Sequence, residues 1–161
     1  EKILILGSYI ESDTKYMLDS VKGFDDVIFK NHPAVDIKRL GELSKNIITS
    51  NDNIYKLFES TKLVIGTASG ATVEAVTCGI STIIIASQDN LTANPLVEHG
   101  KGKIWDIAFE KEELKDSINA LLEFRKNNRH EIHNISTWYK DNFFVEPTEE
   151  SIIKVFKLDK D

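Results

Sequence analysis

The amino-acid sequence predicts a doubly wound α/β domain with a parallel sheet of about six strands. Three observations lead to this fold class. Short, continuous apolar runs have the length and composition of strands that are buried on both faces. Amphipathic stretches with helical periodicity alternate with these runs, at spacings that suit right-handed crossover connections. No linker, repeat or low-complexity segment divides the sequence, so we expect one domain over residues 1–161.

The predicted strands are apolar runs that end in glycine or in polar turn residues. The first run, KILILG, ends in Gly7, as expected of a strand that leads into a tight turn. The second run stops where Pro33 disfavours regular structure for His32. In chain order, strands are predicted over residues 2–7, 26–30, 46–50, 62–66, 81–87 and 103–109.

The predicted helices carry start and stop signals at several of their ends. Ser12 or Asp13 is the expected N-cap of the first helix. Gly79 is expected at the C′ position of the third helix, and Pro147 in the first turn of the last. In chain order, helices are predicted over residues 12–21, 51–61, 70–79, 94–100, 110–127, 129–141 and 147–157.

Composition and charge argue against several classes of protein. The net charge of −6 disfavours a nucleic acid as partner, because such sites need clustered Lys and Arg, although it allows a local basic pocket. The single cysteine, Cys78, allows no internal disulfide, fits a reducing compartment and is expected to be buried. No apolar run approaches the roughly 20 residues that span a bilayer, and no signal peptide is recognisable. We therefore expect a cytoplasmic protein. Because the first strand starts at residue 2, we also expect a domain of a longer protein.

The stretch GTASGATVEAVTCGI, residues 66–80, carries the strongest functional signal. Its small residues let backbone N–H groups approach a ligand, and the helix starting near Gly70 adds unpaired N–H donors and the positive end of its dipole. Ser69 and Thr72 add hydroxyl donors, so the stretch predicts a phosphate site. Glu74 suits a ribose, because one carboxylate accepts hydrogen bonds from two hydroxyls. The alternative is an ordinary strand–helix turn in which Glu74 only favours the helix dipole.

Two further loops follow strands at the same edge of the predicted sheet, where ligands of open α/β sheets collect. His32 is presented next to a proline, where it can donate to a phosphate oxygen or meet a base, and Lys30 adds charge. Gly7 and Ser8 lie where the chain turns after the first strand, and the Ser8 hydroxyl can reach the same phosphate. For both loops, the alternative is a turn or cap without a ligand.

Sharper catalytic motifs are missing or incomplete. Neither GxxxxGK[ST] nor GxGxxG occurs, and GTASG has Ala68 where a nucleophile elbow needs serine. The sequence HEIH, residues 130–133, differs from the HExxH of zinc proteases, so its histidines are expected on a solvated helix face. We therefore predict no metal site.

The sequences KNHP and STKLVIGTASGATVEAVTCGISTIII resemble the C-terminal half of GT-B glycosyltransferases. The resemblance is to bacterial surface-carbohydrate enzymes: capsule and sialic-acid transferases with a His-Pro motif, polyglycerolphosphate transferases and sugar-nucleotide 2-epimerases. Their pattern of Ser/Thr-Gly, Glu-Ala and a Gly-x-Pro/Ser turn reads here as Ser69-Gly70, Glu74-Ala75 and Gly79-Ile80-Ser81. The closing FFVEPTEESIIKVF resembles their last helix, and the likeness covers roughly residues 1–157.

The resemblance implies a Rossmann-like domain that binds a nucleotide-sugar donor, the C-terminal half of a GT-B fold. It assigns ribose to Glu74. The residues that it assigns to the phosphates and the nucleotide are Gly7, Ser8, His32, Ser69, Gly70 and Thr72. Two features depart from the family pattern: Ser81 replaces a common proline, and residues 66–81 contain no Lys or Arg. Phosphate charge would then rest on backbone dipoles and His32.

The function that the resemblance implies is donor binding in a glycosyltransferase of surface-polysaccharide biosynthesis. The donor would be a CDP-, CMP- or UDP-linked sugar or polyol, with no cofactor, and an N-terminal acceptor domain would complete the enzyme. Peripheral membrane association of the full-length protein is compatible with this interpretation. Two alternatives stay open: a UDP-sugar 2-epimerase or hydrolase-like domain, and a non-catalytic α/β binding domain. A receiver-like version of the latter needs acidic residues that GSYIESD and NIITSND place poorly.

Overall fold

A computed structural model describes residues 2–157, and its sheet is parallel throughout. The strands lie in the order β3-β2-β1-β4-β5-β6, and each neighbouring pair is parallel. The prediction of a doubly wound, Rossmann-like sheet of about six strands is therefore confirmed. The strands of the described range are β1 (Lys2–Leu6), β2 (Val27–Lys30), β3 (Ile47–Thr49), β4 (Thr61–Gly66), β5 (Ser81–Ile85) and β6 (Trp105–Ala108).

Helices connect the strands and cover both faces of the sheet. A 3₁₀ helix, Ile37–Leu40, lies in the long connection between β2 and β3. The α-helices within residues 2–157 are α1 (Glu11–Ser20), α2 (Ile54–Phe58), α3 (Gly70–Thr77), α4 (Leu114–Asn127), α5 (Arg129–Phe143) and α6 (Glu149–Phe156).

The core forms two layers, one on each face of the sheet, because alternate side chains of a strand point to opposite faces. Ile3 and Ile5 of β1 pack on the face covered by α1 and α4, together with Met17. Leu4 and Leu6 pack on the opposite face, against α2 and α3. Burial on both faces explains why the strands read as continuous apolar runs in the sequence.

The sheet order reverses between β1 and β4, which are hydrogen-bonded neighbours. The chain runs outward from β1 to β2 and β3, then returns to the other side of β1 and continues outward through β5 and β6. The helices that follow β1 and β4 pack on different faces, so the loops that precede them diverge at the carboxyl ends of these strands. Ligands of open α/β sheets bind in the crevice at such a switch point.

The start of α1 differs from the prediction. The helix begins at Glu11 after Ile10, which has no side-chain capping bond, so the expected N-cap at Ser12 or Asp13 is wrong. Asp13 is instead buried in the first turn, where its carboxylate accepts a hydrogen bond of 2.7 Å from the Ser87 hydroxyl. The Asp13 side chain, which local sequence predicted as an N-cap, thus makes a tertiary hydrogen bond instead.

The predicted helix over residues 94–100 is wrong, since this segment is irregular. The side chain of Asn94 makes two hydrogen bonds with the backbone of Leu96. Its Oδ1 accepts from the Leu96 N–H at 3.0 Å, and its Nδ2 donates to the Leu96 carbonyl at 2.9 Å. The Tyr139 hydroxyl of α5 lies 2.9 Å from the His99 carbonyl and donates to this segment. Side chains therefore replace the bonds that a helix would have made within its own backbone.

Of the predictions for the end of α3 and the start of α6, only the one for Gly79 is confirmed. Gly79 occupies the C′ position of α3 with a φ of +74°, and its N–H donates to the Val76 carbonyl at 2.9 Å, as predicted. Cys78, the C-cap of α3, is exposed, so its expected burial is wrong. Pro147 lies just before the N-cap Thr148 and not within the first turn of α6.

Candidate functional site

The loops after β1, β2 and β4 meet at the carboxyl edge of the sheet. Ile5 of β1 is paired with Phe29 of β2 on one side and with Ile65 of β4 on the other. The three loops that the sequence singled out therefore follow adjacent strands, and two of them flank the switch point. The sheet topology brings the predicted site residues to one edge of the molecule.

Gly7 allows the loop after β1 to lie directly against the loop after β2. A Cβ at this position would lie 2.9 Å from the backbone nitrogen of His32 and 3.2 Å from the Phe29 ring. The Gly7 N–H also donates to the Lys30 carbonyl at 2.9 Å. A side chain here would force the two loops apart, so the role of Gly7 is close backbone approach.

Ser8 is buried and held in place by Thr14 of α1. The Ser8 N–H donates to the Thr14 hydroxyl at 2.9 Å, and that hydroxyl donates back to the Ser8 carbonyl at 3.2 Å. The Ser8 Oγ accepts the Ile10 N–H at 3.0 Å, which leaves its own O–H free to donate. Thr14, which sequence reasoning did not single out, thus fixes the first loop.

His32 is half-buried and has a defined donor direction. Its Nδ1 accepts the Ala34 N–H at 3.1 Å, so the neutral ring carries its proton on Nε2. The Tyr9 ring meets the imidazole edge-on, with ring centroids 6.3 Å apart. Lys30, which was expected to add charge, donates from Nζ to the Asp52 carbonyl at 2.8 Å and so bridges to the loop after β3.

The start of α3 has the features of an anion-binding helix terminus. Ser69 is the N-cap, and its Oγ accepts the Ala71 N–H at 3.3 Å. Gly70 is exposed, and the space where its Cβ would project contains no atom of the described residues within 4 Å. The first N–H groups of a helix have no acceptor within the regular helix pattern. Here the Ala71 N–H donates to Ser69 Oγ and the Thr72 N–H to the Ser69 carbonyl, whereas the Gly70 N–H has no acceptor among the described residues.

Thr72 lies behind this loop. Its side chain is fully buried, and its hydroxyl donates to the Ser69 carbonyl at 2.6 Å. A Cβ on Gly66 would lie 2.8 Å from the Thr72 methyl group, so the two residues pack tightly. Thr72 shapes the loop through these contacts, and its direct contact with phosphate stays a prediction.

Glu74 lies in the second turn of α3, half-buried, with its carboxylate close to Tyr55. The Glu74 carboxylate raises the pKa of Tyr55, through a hydrogen bond first and its negative charge second. Tyr55 belongs to the first turn of α2, at the carboxyl end of β3. Since helix side chains lean toward the helix N-terminus, this contact places the carboxylate toward the edge where the three loops meet.

Asp13 and Tyr55 make polar contacts that the sequence did not reveal. The Asp13–Ser87 bond joins α1 to the loop after β5 across 74 positions of sequence. Tyr55 contacts Glu74 across two helices. In the sequence, the available signal for Asp13 was an acid in the first turn of a helix. A capping residue gives the same signal, so the sequence does not distinguish the two roles.

The histidines, acids and long helices of residues 2–157 bear on two further classes of site. No group of three His, Cys, Asp or Glu side chains in this range is arranged to hold a metal ion. His130 and His133 are both exposed on α5, as predicted. No helix of the described range has the length and apolar character needed to cross a bilayer.

Comparison with known proteins identifies the fold. The chain matches no protein-family model, and no curated protein matches it. Solved structures do: the glycosyltransferase SnogD from Streptomyces nogalater has 18% identity and a TM-score of 0.62 over 98% of this chain and 43% of its own. Anabaena Alr3699/HepE, solved in complex with UDP, has 19% identity and a TM-score of 0.64 over 96% of this chain and 48% of its own. TarM has 16% identity and a TM-score of 0.59 over 98% of this chain and 34% of its own.

SnogD is a glycosyltransferase, and the chain shares the Rossmann-like α/β fold of these neighbours. At these identities the likeness concerns the fold. The chain spans less than half the length of each of the three solved structures.

Proposed function

We propose that this chain is the donor nucleotide-binding domain of a glycosyltransferase that builds a surface polysaccharide. The observation that carries the proposal is the juxtaposition at the switch point. The Ser69-capped start of α3 follows β4, and the turn at Gly7 and Ser8 follows the neighbouring strand β1, while the Glu74 carboxylate lies toward the same edge. The structural likeness to glycosyltransferases, one of them in complex with UDP, supports a nucleotide as the ligand.

In this proposal the phosphates of the donor bind at the start of α3. Departure of the nucleotide builds negative charge on its terminal phosphate during transfer. Backbone N–H groups near Gly70, the Ser8 O–H and the His32 Nε2–H are the donors that stabilise this charge, and the dipole of α3 adds to their effect. Fixed donors of this kind need no metal ion. Ser69 and Thr72 hold the loop in the shape that presents the N–H groups.

Glu74 is proposed to bind the ribose. Its carboxylate can accept hydrogen bonds from both ribose hydroxyls, and such charge-assisted bonds are stronger than neutral ones. The Tyr55 hydroxyl lies close to the carboxylate, where it can donate to it and orient it. Tyr55 is therefore a positioning residue in this proposal.

The acceptor and the catalytic base are assigned to the part of the enzyme that this chain does not contain. The solved neighbours are about twice as long as the chain or longer, which leaves room for a second domain. We propose that the chain alone binds the nucleotide without turning over. The surface-polysaccharide role, the CDP-, CMP- or UDP-linked donor and a cytoplasmic location rest on the resemblance of KNHP and residues 60–85 to bacterial surface-carbohydrate enzymes.

The proposal is tested by titrating the 161-residue chain with UDP, CDP, CMP and pyrophosphate, followed by NMR at the amides of Ser69 and Gly70. At least one nucleotide should shift these amides. Glu74→Ala should weaken nucleotide binding about tenfold or more, because two hydrogen bonds to a charged group are lost. Pyrophosphate binding at the same amides should change less than about twofold.

Glu123→Ala is the matched control, since Glu123 is an exposed acid of α4 on the opposite face of the sheet. It should leave every titration unchanged. Equal losses of nucleotide and pyrophosphate binding in Glu74→Ala would contradict the ribose assignment. Failure of all three nucleotides to shift the Ser69 and Gly70 amides would contradict the proposed function itself.

A further inference from the structure

A groove of about 940 Å³ lies at the amino ends of the strands, at the edge opposite the candidate nucleotide site. Its walls come from the start of β4, the end of α3, the end of α4 and one side of α5. Leu122 and Ile132 supply apolar surface, and Thr77 and Thr137 supply hydroxyls. Its volume falls within the range of small-molecule sites, which is about 300–1,000 Å³.

The groove concentrates positive charge in an acidic protein. Its lining contains five of the 20 Lys and Arg of the chain but only one of the 26 Asp and Glu, Asp141. The basic residues of the lining are Lys62, Arg125, Lys126, Arg129 and Lys140. Since the whole chain carries −6, the surface outside the groove is strongly acidic. A local field of one sign attracts ligands of the opposite sign.

One side of α5 is polar and basic along its length. Arg129, His133, Thr137 and Lys140 recur at intervals of three and four residues, so they lie on one face of the helix, and all four line the groove. Arg129 is the first residue of α5, where a positive charge is unfavourable to the helix dipole. The helix dipole therefore does not explain Arg129, whereas it favours Lys140, which lies in the last turn of α5.

Ion pairing does not explain the charges either. Arg125 has a structural partner, since its guanidinium donates to the Gly79 carbonyl at the end of α3. Lys126, Arg129 and Lys140 are exposed, and within residues 2–157 none of them forms a salt bridge. By contrast, Lys15, Lys22, Lys56, Lys101, Lys103, Lys111 and Arg39 are each paired with an acid.

We propose that this groove is a second anion site, which binds a compact ligand carrying two or more phosphate groups. Several cations around one concave surface match several charges held close together, and the hydroxyl of Thr137 adds a donor for a phosphate oxygen. The acidic surface beyond the groove disfavours a long polyanion, which selects for a compact one. The site depends on none of the residues assigned to the nucleotide.

The test titrates the 161-residue chain with tripolyphosphate, followed by NMR at the amides of residues 77–79 and 129–137. These amides should shift on binding. The double variant Lys126→Ala/Arg129→Ala should weaken this binding at least tenfold, and Lys140→Ala should weaken it about threefold or more. The mutated side chains are exposed, and circular dichroism checks that each variant folds.

The matched control is Lys38→Ala/Lys115→Ala, which removes the same charge from exposed positions outside the groove and should stay within twofold of the parent chain. A second arm measures sedimentation with vesicles of phosphatidylcholine and phosphatidylglycerol, 7:3. Loss of vesicle binding in Lys126→Ala/Arg129→Ala without tripolyphosphate binding overturns the proposal, because the phosphatidylglycerol headgroup carries a single phosphate. Equal affinity of parent and double variant for both probes overturns the proposal, as do shifts confined to Gly7, Ser8 and residues 69–72.

Discussion

At the scale of single residues, Gly7 sets how closely the first two loops of the candidate site approach. A Cβ here would meet the His32 backbone nitrogen at 2.9 Å, a distance at which backbone must move. Gly7 does not need a positive φ, so the requirement is for space. Glycine after a strand is visible in the sequence, but the reason for it lies in a neighbouring loop.

Gly7→Ala should therefore destabilise the protein by about 1–3 kcal/mol, the usual cost of overpacking. Urea unfolding followed by circular dichroism measures the change. The substitution should also weaken nucleotide binding, because it displaces His32 relative to the first loop.

Gly23→Ala is the control for this substitution. A Cβ at Gly23 meets no atom within 4 Å, and its φ is not positive. Its stability should stay within about 0.5 kcal/mol of the parent chain or rise slightly, because alanine restricts the unfolded chain. Equal unfolding midpoints for the Gly7 and Gly23 variants would show that the loops can separate at no cost.

At the scale of elements, α5 and the segment 94–100 depend on each other. The Tyr139 hydroxyl lies 2.9 Å from the carbonyls of Val97 and His99 and can donate to either of them. Its ring is fully buried beside Trp105 in the core. The irregular segment is thus held by a side chain from a helix 40 residues later in the chain.

Tyr139→Phe should destabilise the protein by about 0.5–1.5 kcal/mol, the net contribution of one hydrogen bond. The Val97 carbonyl loses its donor, whereas the His99 carbonyl still accepts from the Trp105 indole N–H. Hydrogen exchange should become faster in the segment 94–100 than in the strands, since the lost bond anchors that segment. Unchanged exchange there, with a uniform loss of stability, would mean that Tyr139 acts through core packing alone.

Tyr139 also predicts a pH dependence. Burial raises the pKa of Tyr139 to about 12, above the value of about 10 that an unfolded tyrosine has. Its contribution to stability is therefore complete below pH 10 and is lost as the pH rises through about 12. The difference in unfolding midpoint between the parent chain and Tyr139→Phe should shrink over this window. A constant difference from pH 9 to pH 12 would contradict the raised pKa.

At the scale of the whole molecule, the core ends with α5. Ile132, Ile135 and Tyr139 of α5 are buried against α3 and β5, whereas no residue of α6 is buried. Ile152, Val155 and Phe156 of α6 are exposed. The stability of this domain should thus be independent of its last helix.

A chain that ends at residue 146 should keep its free energy of unfolding to within about 1 kcal/mol, because little apolar surface is lost. A chain that ends at residue 128 should fail to unfold cooperatively. It loses three buried side chains worth about 1.5–3 kcal/mol each, against a total stability of about 5–15 kcal/mol. Urea unfolding followed by tryptophan fluorescence and circular dichroism measures both. A large loss in the longer truncation would show that α6 stabilises the domain.

Local sequence predicted most of the fold correctly. The alternation of elements, the apolar runs and the glycine at the end of α3 depend on residues within one turn or strand of each other. The same holds for part of the candidate site, because Gly7 with Ser8 and Ser69 with Gly70 each occupy one loop. The segment 94–100 was mispredicted because its hydrogen-bond partners come from α5.

The sequence by itself determined an α/β chain with a small-residue loop at a helix start and one acid a turn later. Only the tertiary structure decided that Gly7 touches the backbone of His32, that Glu74 meets Tyr55 and that cations from three elements line one groove. The physical reason is that periodicity reveals which face of an element is apolar. It does not reveal which other element covers that face, and side chains from separate segments meet only after the strand order is set.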